Sequence, residues 1–175
     1  DDATRTEFEE SWGCVIKKER GLMIPEMFSA AVEKNLKGMY VFGEDIAQTD
    51  PNLHHVEAAL RSLEFLVVQE IFMSETAKFA NVVLSGAPFF EKSGTFTNRE
   101  RRVQLINEAV KPPGLARRDI DILFDLSARL GYKMPHTSSA EVMDEIAALT
   151  PQWAGVSHDR LGTQGLQWPV WDKKH

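Results

Sequence analysis

The sequence predicts an α/β fold: an open, mainly parallel sheet flanked by helices, Rossmann-like, with further helices toward the C-terminal end. Three observations predict it. Apolar runs at residues 39–42, 65–68 and 82–84 alternate with segments whose apolar residues fall at helical spacing. The connections between them are short, and parallel neighbours need a crossover that is usually a helix. With 175 residues, 43% of them hydrophobic, the chain is long enough for one real core.

Residues 1–20 are polar and mixed in charge apart from Phe8, Trp12, Val15 and Ile16. They are expected to be an irregular lead-in, with residues 21–175 forming a single α/β domain. From Pro25 the pattern turns helical, with Met27, Phe28, Ala31 and Val32 on one face and Gly38 as the stop. The run Met39, Tyr40, Val41 and Phe42 then ends at Gly43, followed by Glu44, Asp45 and the turn-prone Asp50, Pro51 and Asn52. The second round has Val56, Ala59, Leu60 and Leu63 at helical spacing, then the strand at 65–68, ending at Gln69 and Glu70. A third has a helix at 74–79 and a strand at 82–84.

After Pro88 the rhythm breaks. Residues 89–98 read as a loop with Gly94 as its turn, followed by the basic Arg99, Arg101 and Arg102. Ile122, Leu123, Leu126 and Leu130 make a helical stripe closed by Gly131, and Ser138 opens a capped helix through Val142, Ile146 and Leu149. The last stretch, with Trp153, Trp168 and Trp171, shows no period.

Charge and cysteine usage narrow the function classes. The 26 acidic against 20 basic residues give a net charge of −6, so a nucleic-acid backbone is repelled and no nucleic-acid partner is expected. Cys14 is the only cysteine, which excludes an internal disulfide and any multi-cysteine metal or cluster site made by this chain alone. The five histidines are scattered without ligand spacing, and no metal site is expected. No apolar run approaches the roughly 20 residues that cross a bilayer, and the opening residues lack signal-peptide character. A soluble, cytoplasmic protein is expected.

Glu44, Asp45 and Glu70 stand directly after apolar strands, where open parallel sheets bind ligands. A carboxylate there accepts from the N1–H and amino edge of guanine or from ribose hydroxyls; polar residues also end most strands without binding anything. Lys92, with Thr95, Thr97 and Asn98 on a glycine-containing loop, suits phosphate or a pterin, and equally suits a solvated loop. The arginines at 99, 101 and 102 suit pyrophosphate, a neighbouring domain or structural pairing. Neither GxGxxG nor a Walker A sequence occurs, and no serine or cysteine sits in a nucleophile motif.

The run from Met39 to Arg102 resembles the molybdopterin oxidoreductase family and, within it, formate dehydrogenase alpha subunits. The matching pieces are Met39 to Asp45 with Gln48, Thr49 and Asp50; Val67 to Ala77; Ala80 to Leu84; Phe90 to Asn98; and Arg101 with Arg102. The likeness continues through Pro113, Gly114, Arg118, Asp119 and Leu130 to Tyr132, and on to Gln167, Trp168 and Pro169. The resemblance implies that strand-end segments hold one of two molybdopterin guanine dinucleotides, and that Gly43, Glu44, Asp45, Gln69, Glu70, Lys92 and Asp119 are the cofactor-binding positions. Two departures stand out, since the family usually has Asp where Glu70 stands and Pro where Ser85 stands. The family's cysteine cluster, metal-ligating Cys or selenocysteine, and catalytic His and Arg have no counterpart here. The resemblance therefore implies a fragment of a large subunit whose parent oxidises formate to carbon dioxide, with molybdenum or tungsten on its bis-molybdopterin guanine dinucleotide and an iron–sulfur cluster elsewhere. Partners implied are the cofactor, the remaining domains of the subunit and electron-transfer subunits; the isolated fragment is expected to be inactive. Alternatives are another member of the family such as a nitrate reductase, or a non-catalytic protein-interaction module.

Overall fold

The computed structural model describes residues 2–174, and their contacts group them into two compact units. One comprises Glu19–Pro88 and Pro112–Asp119, and the other Asp1–Lys18, Phe89–Lys111 and Ile120–His175. The single domain expected over 21–175 is thus two units, because the residues after Pro88 build a second sheet with its own core.

The irregular lead-in is also corrected: Asp2–Trp12 is a helix, α1. Asp2 and Arg5 pair at 2.7 Å, and Phe8 meets Trp12 edge-on at 4.9 Å. Such i,i+3 and i,i+4 pairs support a helix that has no apolar stripe.

In the parallel unit, α2 (Ile24–Val32) begins with Pro25 in its first turn and Glu26 accepting from the Met23 amide at 2.7 Å. It stops at Glu33, where Lys34 takes the left-handed turn at φ 65°. Gly38, expected as the stop, instead opens β1 (Gly38–Phe42). A short α3 (Ile46–Thr49) precedes α4 (Leu53–Ser62), which Asn52 caps by accepting from the His55 amide. The next strand, β2 (Phe65–Glu70), is followed by a single 3-10 turn at Thr76–Phe79 and by β3 (Val82–Ser85). The three strands are parallel in the order β1-β2-β3, with Tyr40 opposite Val67 and Glu70 opposite Ser85. Leu66, Val68, Val56, Ala59 and Phe28 are buried in one cluster, which packs α2 and α4 against the sheet. Each of its larger aliphatic side chains contributes on the order of 2 kcal/mol by leaving water. Val82 and Val83 on β3, the last strand of the sheet, remain 39% and 38% exposed.

In the antiparallel unit, residues 89–98 are not simply a loop. A 3-10 turn at Phe89–Glu91 leads into β4 (Gly94–Thr97), which pairs with β5 (Arg102–Ile106). The Asn98 carboxamide accepts from the amides of Glu100 and Arg102, both at 2.9 Å, and closes the turn between them. The helix α5 (Asp119–Arg129) follows, its first residue, Asp119, belonging to the parallel unit and the rest to this one, with Ile122 buried. Leu130, expected on its stripe, lies past its end and is 78% exposed. The cap of α6 (Ser139–Leu149) is Ser138, as its sequence suggests, but the buried residue is Met143 rather than Val142 or Ile146. The short α7 (His158–Leu161) and β6 (Leu166–Gln167) complete the unit, with β6 pairing against β5. Val103, Met143, Val156, Leu161 and Val170 form its core, and the half-buried Trp153 and Trp168 pack on it.

Candidate functional site

The carboxyl ends of β1, β2 and β3 bring together six of the seven predicted positions. Gly43 turns the chain out of β1 at φ 63°, its amide donating to the Gln69 carbonyl at 2.9 Å, and a side-chain carbon there would meet nothing within 4 Å. A left-handed turn with open space above it favours glycine and leaves the backbone approachable.

Glu44, next in the chain, is exposed and accepts from the Thr49 hydroxyl at 2.6 Å. Asp45 does different work. One of its oxygens accepts from the amide and hydroxyl of buried Thr76 at 2.8 and 2.7 Å, and the other from Gln48 at 2.6 Å and the Glu75 amide at 3.3 Å. Burial alone raises its pKa, but these hydrogen bonds to the charged form outweigh that and hold the carboxyl below its ordinary value. The Thr76 hydroxyl also accepts from the Ala47 amide at 3.0 Å. Asp45 and Thr76 thereby tie the loop after β1 to the turn after β2.

Gln69 is fully buried, and its amide bridges two partners. The Tyr40 hydroxyl donates to its oxygen, and its nitrogen donates to Asp119 at 2.7 Å. Register explains the first contact: Gln69 lies two residues beyond Val67, the partner of Tyr40, so the two side chains are diagonal neighbours on one face. Gly86, just past β3, is buried with its amide donating to the Glu70 carbonyl at 3.0 Å. A side-chain carbon on it would lie 2.7 Å from an Asp119 oxygen. Glu70 is half-buried and folds back to accept from the Ile71 amide at 2.7 Å. Phe42, Ile71 and Phe72 are exposed around the same strand ends.

Lys92, the seventh position, belongs to the antiparallel unit, after its first 3-10 turn, and is half-buried. The neighbouring arginines have structural roles in the same unit: Arg101 lies over the Trp168 ring at 5.6 Å, and Arg102 donates to the Gln164 carbonyl at 3.3 Å. That unit also holds a mostly apolar cavity of about 510 Å³ lined by Trp12, Cys14, Tyr132, Met134 and Val142, with Glu145 at its wall. Glu145 accepts from Trp12 at 2.9 Å and from His136 at 2.6 Å.

Sequence reasoning missed Tyr40, Thr76 and Gly86. Alternation along β1 and β2 carried a signal for Tyr40, since a polar-tipped residue one register step from a strand-end glutamine needs a partner when buried. Nothing local marked Thr76 or Gly86.

The molybdopterin oxidoreductase profile matches residues 9–129. The chain belongs to that family. It is 48% identical over 170 residues to the F420-dependent formate dehydrogenase subunit alpha of Methanocaldococcus jannaschii, a match covering 96% of this chain and 25% of that protein. It is 42% identical to a putative formate dehydrogenase of Staphylococcus aureus, over 97% of this chain and 17% of the other. The chain thus spans a quarter or less of the length of these relatives. Among solved structures, acetylene hydratase from Pelobacter acetylenicus superposes with a TM-score of 0.68 at 18% identity, over 96% of this chain and 24% of the other. That likeness shows a shared fold. The α/β reading, with its parallel sheet flanked by helices, is borne out, and so is the family resemblance. No helix among the described residues is long and apolar enough to cross a membrane.

Proposed function

We propose that this chain is a piece of the alpha subunit of a molybdopterin-dependent formate dehydrogenase, and that the carboxyl edge of its parallel sheet holds the guanine end of molybdopterin guanine dinucleotide. The observation that carries this reading is buried Gln69 bonded to half-buried Asp119 beside the open turn at Gly43, at the strand ends of a molybdopterin-family chain.

The residues present fit such a group. Gly43 leaves room for a flat ring to approach backbone, while exposed Phe42, Ile71 and Phe72 offer apolar surface to a purine face. Glu44, Glu70 and Asp119 supply carboxylate acceptors for guanine N–H groups and ribose hydroxyls. Asp45, whose oxygens already take four hydrogen bonds, braces the two loops that frame the site. Lys92 is proposed separately, within its own unit, as a cation suited to phosphate.

When bound, the pterin and its metal, molybdenum or tungsten, supply the redox chemistry, and this chain binds and orients. The remaining domains with their iron–sulfur cluster, electron-transfer subunits and a cytoplasmic setting complete the proposal for the parent. Calorimetric titration of the chain with GMP and GDP against AMP and ADP tests it. Guanine preference, even at millimolar affinity, is the expected result; binding without base preference overturns the guanine assignment.

A further inference from the structure

We infer that Tyr40 is a positioning residue of the nucleotide site: its hydroxyl supplies the donor to the buried Gln69 oxygen and so anchors the amide whose other end donates to Asp119 at the strand ends. The inference deepens the guanine-site reading and rests on it. A carboxamide has an acceptor end and a donor end of nearly the same shape, and packing alone hardly distinguishes them. Gln69 has no solvent exposure through which water could choose for it. What chooses is the pair of partners. The Asp119 carboxylate, an acceptor only, takes the NH₂ end, and the Tyr40 hydroxyl donates to the oxygen that is left.

The donors therefore run one way, from tyrosine through glutamine to aspartate, and each bond polarises the next. Burial chiefly, and the negative charge of Asp119 secondarily, raise the Tyr40 pKa, so the phenol keeps its proton at neutral pH. Gly86 backs the arrangement from the other side, since only a residue without a side chain leaves the Asp119 oxygen its place. Without the tyrosine hydroxyl, the Gln69 oxygen is a buried acceptor with no donor. The amide is then anchored only at its Asp119 end, and the carboxylate is seated less firmly.

The test compares wild-type chain with Tyr40→Phe, using Leu161→Ala, a core change in α7 of the antiparallel unit, as the control for general destabilisation. Two readouts are needed. Amide-proton NMR of Gln69 reports how firmly the amide is held in the free chain: a resolved, slowly exchanging NH₂ pair in wild type, shifted and fast-exchanging in Tyr40→Phe. GMP calorimetry reports the consequence, a Kd raised about tenfold in Tyr40→Phe and unchanged in Leu161→Ala, even with unfolding temperatures lowered equally. Identical Gln69 signals in wild type and Tyr40→Phe overturn the inference whether or not GMP binds, whereas failure of the wild type to prefer guanine overturns only the function reading beneath it. Unchanged GMP affinity in Tyr40→Phe, with wild type binding normally, also overturns it.

Discussion

The two units differ in what their polar side chains are used for. In the antiparallel unit they hold the fold: Asn98 closes a turn, Ser138 caps α6, Arg101 lies on Trp168, and Arg102 reaches a backbone carbonyl. The parallel unit instead gathers them at one edge of its sheet, where Asp45 is bonded to Thr76, and Gln69 to Tyr40 and Asp119, beside an open glycine turn. Parallel strands all end on one side, so every strand-to-loop junction delivers polar residues to the same edge. An antiparallel ladder alternates its ends and scatters them. The difference teaches where to look for a ligand in this chain.

Paired core truncations should test that contrast most severely. Leu66→Ala in the parallel unit and Leu161→Ala in the antiparallel unit each remove a fully buried side chain and should cost about 3 kcal/mol in urea unfolding. Only the first should weaken GMP binding in chain that remains folded; equal losses from both would erase the distinction. Next in size, Gly86→Ala places a carbon where the Asp119 oxygen sits. It should raise the GMP Kd about tenfold, some 1.4 kcal/mol by calorimetry, and wild-type affinity would mean that Asp119 is not part of the site.

The smallest effect concerns Asp45. Its carboxyl is held below the ordinary value of 3.8 in the folded chain, so the stability it adds is present above that value and lost as pH falls through the depressed one. Asp45→Asn should cost about 1 kcal/mol near neutrality, as for a lost cap, and the gap to wild type should narrow in acid below about pH 4. A gap constant with pH would mean the charge itself does little. In the proposed parent subunit the same change should lower the content of its molybdenum or tungsten.

Legibility divides along the same line as the chemistry. Strands β1 to β3 were readable because each is a compact apolar run bounded by helical spacing. Helices α2 and α4 announced themselves through apolar periodicity, which survives any tertiary context that buries one face. Strand β4 was not readable, because Gly94, Thr95, Phe96 and Thr97 form a short, mostly polar string that becomes a strand only through its pairing with β5. The helix α1 was hidden similarly, its support coming from side-chain pairs rather than a stripe. At the candidate site, the strand-end carboxylates Glu44, Asp45 and Glu70 were visible by position, and Gln69 and Asp119 through the family resemblance. Their bonding was not: that Asp45 braces two loops, and that Gln69 is held from both ends, depend on Thr76, Gly86 and Tyr40, brought near by register and crossover.

The outer side of β3 bears on how the chain behaves in company. Its residues, Val82, Val83, Leu84 and Ser85, are uncharged, contain no proline, and include two partly exposed β-branched side chains. Edge strands that stay solitary are usually blunted by lysine, proline or a bulge. This one has none of those devices within its length, and only at its end does another segment reach it, the Arg117 amide donating to the Ser85 carbonyl at 3.0 Å, so an extended segment pairing along Val82 to Leu84 would gain main-chain bonds. The feature that makes the parallel sheet easy to recognise in the sequence, a short uninterrupted apolar run, is the same one that makes its last strand adhesive.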